Sequence, residues 1–158
     1  MLSVLRKARL KDKEMRILML GKTTIVKRIM NEDVNSTMRG DVGGQKTLRT
    51  YWKNYFEKTD TLIWVVDATD SERLEDCRAE LKGLLLQERL MGASLLVFKN
   101  KSDVPGCMTT DDIREGLQLD SINTHKWHIL PCSAMTGQNL HEGLQWVVQD
   151  AKDRLFLY

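Results

Sequence analysis

Three cysteines, Cys77, Cys107 and Cys132, are scattered through 158 residues. So few thiols, odd in number and far apart, exclude a disulfide scaffold and point to a reducing compartment, the cytoplasm. Histidine is as rare, with three residues. His125 and His128 sit three apart, but no cysteine or carboxylate set completes a zinc site around them, so they are read as packing or solvent-facing side chains. No apolar run approaches the ~20 residues of a membrane-spanning helix, and no secretory leader is visible. Internal repeats and low-complexity tracts are absent. Strong charge of one sign is also missing. The net charge of +2 gives no electrostatic footprint for nucleic acid. Residue 2 is Leu2, not glycine, which excludes N-myristoylation on this sequence.

What is present suits one globular domain spanning residues 1–158. Hydrophobic residues make up 42% and charged residues 29%, enough apolar surface for a real core. Leu2–Asp12 is predicted as a basic amphipathic helix, with Leu2, Leu5 and Ala8 on one side. Without a lipid it would give at most weak membrane contact. Ile17–Leu20 is a short apolar strand, and Thr24–Asn31 follows as a helix. Thr61–Asp67 and Ser94–Asn100 are near-continuous apolar runs, as expected of strands buried on both faces of a parallel sheet. His128–Ser133 is a shorter strand. Helices are predicted over Ser71–Leu90, Thr109–Leu117 and Leu140–Phe156 from apolar residues at helical spacing. This alternation predicts an α/β fold: a doubly wound, mostly parallel sheet with helices on both faces. Such sheets bind ligands at the carboxyl ends of their strands.

The chemically suggestive stretches cluster at those ends. Gly21-Lys22-Thr23-Thr24 leaves a strand and opens a helix, the phosphate-binding arrangement in which backbone N–H groups and the helix dipole face an anion. Asn100-Lys101-Ser102-Asp103 leaves another strand. A carboxylate there can accept two hydrogen bonds from the ring N–H and the amine of guanine. Adenine would leave that carboxylate unpaired, which is the strong kind of discrimination. Cys132-Ser133-Ala134 ends the next strand. Asp41-Val42-Gly43-Gly44-Gln45 lies between, with no strand before it.

Taken in order, these four motifs resemble the small GTPases of the ADP-ribosylation-factor family. Tyr51-Trp52-Lys53-Asn54-Tyr55-Phe56 and Leu62–Asp67 share that resemblance. The Gly-Gly-Gln form also occurs in heterotrimeric G-protein α subunits, but this chain is too short for their inserted helical domain. The resemblance implies a P-loop GTPase fold, GTP and GDP as ligands, Mg²⁺ as cofactor, and slow GTP hydrolysis. It implies that Gly21 belongs to the phosphate turn, that Lys22 contacts the outer phosphates, that Thr23 ligates Mg²⁺, and that Thr24 donates to the α-phosphate. Asp41 would hold a Mg²⁺-bound water, and the Gly44 N–H would sense the γ-phosphate. Gln45 would orient the attacking water. Asn100, Lys101 and Asp103 would read the base. The Ala134 N–H would support guanine O6, with Ser133 shaping its loop.

The same resemblance implies partners. Leu2, the tract Glu88–Ala93 and Leu119–Ile122 fit a branch of the family that works with the tubulin-folding cofactors, cofactor D above all. That branch also works with a carrier-type effector of the GTP form. Arg49, Tyr51, Trp52, Tyr55 and Phe56 are the expected partner-binding residues, since aromatics with basic neighbours make binding hot spots. The expected location is cytoplasmic, with association to microtubules.

Two pieces of the family pattern are missing. One residue between Leu20 and Lys22 cannot surround a phosphate with N–H groups. The six residues Asn35–Gly40 replace a Mg²⁺-binding switch loop and a two-strand hairpin, and two strands need roughly ten residues at about 3.3 Å each. Two readings follow: a switch whose full form carries these segments, or a non-catalytic, nucleotide-poor interaction subunit docked in a larger assembly.

Overall fold

The computed structural model describes residues 2–10, 13–21 and 59–155. Its centre is a pair of parallel strands built on the apolar runs 62–66 and 95–98. β3, Thr61–Asp67, and β4, Ser94–Asn100, pair from Thr61↔Ser94 to Asp67↔Asn100. Side chains alternate between sheet faces. Leu62, Trp64 and Val66 therefore join one core, and Ile63 and Val65 join the other. β2, Lys13–Gly21, lies parallel beside β3, and β5, Trp127–Pro131, lies parallel beside β4. β1, Leu2–Leu10, runs antiparallel along β2 and completes the order β1-β2-β3-β4-β5.

Helices cover both faces. α1, Leu74–Leu85, and α2, Thr110–Gly116, bury Leu81, Leu85 and Ile113 against the Leu62–Trp64–Val66 side. α3, Leu140–Leu155, sets Leu140, Leu144, Val147 and Ala151 against Met15, Ile17, Ile63, Leu96 and Phe98. Its apolar stripe at i, i+4, i+7 and i+11 matches one helix face. The α2 start is fixed by a capping box. Thr109 Oγ1 accepts from the Asp112 N–H at 3.1 Å, and the Asp112 carboxylate accepts from the Thr109 N–H at 2.9 Å.

Two expectations need correction. Leu2–Leu10 is a strand, not an amphipathic helix. Leu2, Val4, Arg6, Ala8 and Leu10 also fit a two-residue period, so the sequence admits both forms. Pairing decides between them. β1 meets β2 over nine positions, from Leu2↔Gly21 to Leu10↔Lys13. It covers an edge whose N–H and C=O groups would otherwise lack ladder partners. The second correction is that Ser71–Leu90 is not one helix. It opens with a 3-10 turn at Ser71–Arg73, and α1 stops at Leu85. Gln87 is extended at φ −68°, ψ 138°, and a second 3-10 turn at Glu88–Leu90 carries Leu90 into the core. The predicted helix over Thr24–Asn31 lies outside the described residues.

Candidate functional site

The carboxyl ends of β4 and β5 deliver two loops to one place. Asn100 closes β4 and is 2% exposed. Lys101 then takes a left-handed φ of 63°, which turns the chain off the strand. Ser102 holds the turn: its Oγ donates to Lys99 O at 2.7 Å, and its N–H donates to Cys132 O at 3.0 Å. The second bond reaches across to the loop after β5. The Val104 N–H closes the turn on Lys101 O at 3.0 Å.

The β5 loop is built around Ser133, which is fully buried. Its carbonyl accepts the Gly137 N–H at 2.8 Å, and its hydroxyl accepts the Thr136 N–H at 3.2 Å. Gly137 and Asn139 both adopt positive φ, 82° and 60°, and the Asn139 side chain donates to Pro131 O at 2.8 Å. The two loops are joined through Asn100 Oδ1. It accepts the Ala134 N–H at 3.0 Å and faces the Cys132 thiol at 3.8 Å. Burial pushes the Cys132 thiol up to about 12, so this sulfur stays protonated and faces Asn100 as a donor.

The structure thus brings together Asn100, Lys101, Asp103, Ser133 and Ala134. Asp103 is exposed and makes no hydrogen bond or ion pair among the described residues, so both its oxygens are open to a ligand. One detail differs from expectation. The Ala134 N–H, expected to face guanine O6, is engaged by Asn100 Oδ1, so an incoming base oxygen would have to share that donor.

Sequence reasoning missed Asp67. It closes β3 directly opposite Asn100 in register, and its Oδ2 lies 2.8 Å from Lys101 Nζ. An acidic residue ending a buried strand beside the Asn-Lys strand was the available signal.

Gly21, expected in the phosphate turn, is the last residue of β2 and pairs with Leu2. A Cβ there would sit 2.7 Å from Val65 Cβ, so glycine is required by the close approach of β2 to β3. Beyond it a cleft of about 280 Å³ opens at the ends of β2 and β3, lined by Leu20, Gly21, Trp64, Asp67, Leu74 and Cys77 among others. Lys22, Thr23, Thr24, Asp41, Gly44, Gln45, Arg49, Tyr51, Trp52, Tyr55 and Phe56 lie outside the described residues. The expected Mg²⁺ ligand, Thr23, is among them. Among the described residues no group of three or more His, Cys, Asp or Glu could hold a metal ion. The groups at the expected base end are the exposed Asp103 carboxylate and the Ala134 N–H, which is already engaged by Asn100 Oδ1.

A parallel sheet with helices on both faces, carrying Asn-Lys-x-Asp and Ser-Ala turns at adjacent strand ends, defines a small GTPase. A solved structure agrees on the fold: the Arl6 BBS3 small GTPase from Trypanosoma brucei, with bound nucleotide analogue GppNp, superposes with a TM-score of 0.68. That match covers 87% of this chain and 96% of the other at 23% identity. The ADP-ribosylation factor family profile matches residues 38–151, and the chain belongs to that family. Its members are GTP-binding switches that bind GTP and GDP with Mg²⁺ and hydrolyse GTP. The chain is 47% identical to ADP-ribosylation factor-like protein 2 of Dictyostelium discoideum, over 99% of this chain and 98% of that protein. Identity to the protein of the same name from Arabidopsis thaliana is also 47%, and to that from Drosophila melanogaster 45%, with similar coverage. The Dictyostelium alignment runs over 180 positions, more than the 158 residues here, so the relative carries residues without a counterpart in this chain.

Proposed function

We propose that this protein is a guanine-nucleotide switch that regulates tubulin folding and microtubule biogenesis in the cytoplasm, in complex with the tubulin cofactors, cofactor D above all. The observation that carries the nucleotide half is the Asn100–Ala134 bond, which locks the base-reading loops of β4 and β5 into one unit. The free Asp103 carboxylate beside it supplies the acceptors that guanine requires. The partner half is supported by the similarity to proteins named ADP-ribosylation factor-like protein 2 and by the aromatic, basic segment after Gln45. Arg49, Tyr51, Trp52, Tyr55 and Phe56 form the proposed contact. Their position next to Gly44 and Gln45 would let a partner, including a carrier-type effector of the GTP form, respond to the γ-phosphate.

A second reading has its own support. β2 runs as a strand through Gly21, and Lys22 follows at once, leaving no room for a phosphate-wrapping loop. In that reading the chain is a nucleotide-poor interaction subunit. Copurification with cofactor D, followed by nucleotide analysis of the complex, separates the two. The switch predicts a complex that tolerates a nucleotide-poor state but takes up added GDP or GTP, and a complex that binds neither supports the subunit. Failure to bind cofactor D, or binding unchanged by Arg49→Ala with Trp52→Ala, contradicts the partner assignment.

A further inference from the structure

We propose that Asp67 is a positioning residue of the guanine site, which fixes the Lys101 side chain before the base arrives. The inference rests on the base-reading assignment of Asn100, Lys101 and Asp103. Its geometry is independent of that assignment. Asp67 is held from several directions. Its Oδ1 accepts the Thr69 N–H at 2.9 Å and the Thr69 hydroxyl at 2.6 Å. The next residue, Ala68, donates its N–H to Asn100 O at 3.0 Å and accepts the Met108 N–H at 2.8 Å. The turn that carries the acid is therefore tied both to the end of β4 and to the loop before α2.

Asp67 Oδ2 accepts from Lys101 Nζ at 2.8 Å. The pair is not an ordinary surface bridge. The Asp67 side chain is only 10% exposed, whereas the lysine side chain is 41% exposed. A rigid, largely buried acceptor thus holds a flexible, half-exposed cation. Lysine carries large rotamer freedom, and a site that orders it beforehand avoids that loss on binding. The backbone contributes as well, because the left-handed φ at Lys101 sets the direction in which the stem leaves the turn.

The consequence is specific. Asp103 chooses the base, and Asp67 holds the lysine ammonium. Removing the Asp67 charge should weaken every nucleotide equally and leave base choice unchanged. The test is stopped-flow release of mant-GDP and mant-IDP from the whole chain, carrying no substitution, Asp67→Asn, Lys101→Met, or both. Asp67→Asn keeps the shape and the Thr69 contacts, so it separates positioning from folding. Losing a hydrogen bond to a charged group is expected to accelerate release roughly ten-fold. That acceleration should be equal for the two nucleotides and absent when Lys101→Met is already present. Unchanged release in Asp67→Asn, or the same acceleration in the Lys101→Met background, overturns the role of Asp67 alone. No binding of either probe by the unsubstituted chain overturns the base-reading assignment and this inference together.

Discussion

Asn100 and Ala134, thirty-four residues apart in the chain, are joined by a 3.0 Å hydrogen bond from the Ala134 amide to the Asn100 side-chain oxygen. The bond spans two loops whose strands are already in register, Lys99 opposite Pro131. It therefore extends the sheet's order one step beyond its last ladder pair, to where a base would sit. Asn100 is almost wholly buried. A side-chain amide in that position cannot go unpaired without cost, so this arrangement is stable before any ligand arrives.

In the proposed reading, base choice depends on Asp103. Asp103→Asn should weaken GDP and GTP and favour xanthine nucleotides, because the amide can donate to the oxygen that replaces the guanine amine. Competition binding with the two bases measures this. A mutant with unchanged guanine preference would show that Asp103 does not read the base.

Gln45 is expected to act on turnover only. Gln45→Leu should leave nucleotide affinity within about two-fold and slow hydrolysis by roughly 10²-fold or more, as loss of a water-positioning group does. Single-turnover hydrolysis compares the two chains directly. Equal rates would remove Gln45 from the mechanism.

The fold makes a separate prediction at the α3–β4 contact. A Cβ at Gly143 would overlap the ring of Phe98, which is fully buried. Overpacking costs about 1–3 kcal/mol, and the helix gain of alanine over glycine offsets up to about 1 kcal/mol. Gly143→Ala should therefore lower the urea midpoint. The same change on a Phe98→Leu background, where the ring is gone, should be neutral or stabilising. A Gly143→Ala protein more stable than the original would contradict the packing.

Asp150 ties α3 to the opposite end of the sheet. Lys126 Nζ lies 3.0 Å from its Oδ1, and Arg154 Nε donates to its Oδ2 at 3.1 Å. Arg154 also reaches Asp60 O and Gly92 O at 2.8 and 3.1 Å. Burial alone would raise the Asp150 pKa. The Arg154 hydrogen bond, the Lys126 and Arg154 charges and the nearby Ser94 hydroxyl outweigh burial and hold it below the ordinary 3.8. A depressed carboxylate stabilises the fold fully above that ordinary value, and the contribution fades as pH falls through the lowered one. Asp150→Asn should cost about 2 kcal/mol at about pH 7, less than a fully enclosed pair because both cations reach solvent. The difference from the original should shrink in denaturation below pH 3.8. A difference independent of pH would show that the charge is not what stabilises.

The central strands were legible because their environment is uniform. Thr61–Asp67 and Ser94–Asn100 are flanked by helices on both faces, and an apolar run of that length admits one interpretation. β5 begins at Trp127, one residue before the expected strand, and α3 ends within one residue of expectation. The Asn100 and Ser133 turns stood out because polar residues follow buried strands abruptly. Leu2–Leu10 was not legible, since its local pattern fits two periods. The open edge of β2 decides between them. The break in the Ser71–Leu90 helix was hidden because Leu90 continues the apolar series while entering the core from a separate turn. Asp67 escaped because its partner, Lys101, is thirty-four residues away and only the strand register brings them together.

The central claim, that the paired loops after β4 and β5 read guanine, is tested most directly by equilibrium competition on the unmodified chain. Bound mant-GDP is challenged with GDP and with ADP. A base that covers the Asp103 carboxylate without donating to it is rejected by roughly 10⁴-fold, so GDP should displace the probe at concentrations where ADP has no effect. Displacement by both nucleotides at similar concentrations, or no binding of the probe at all, would contradict it.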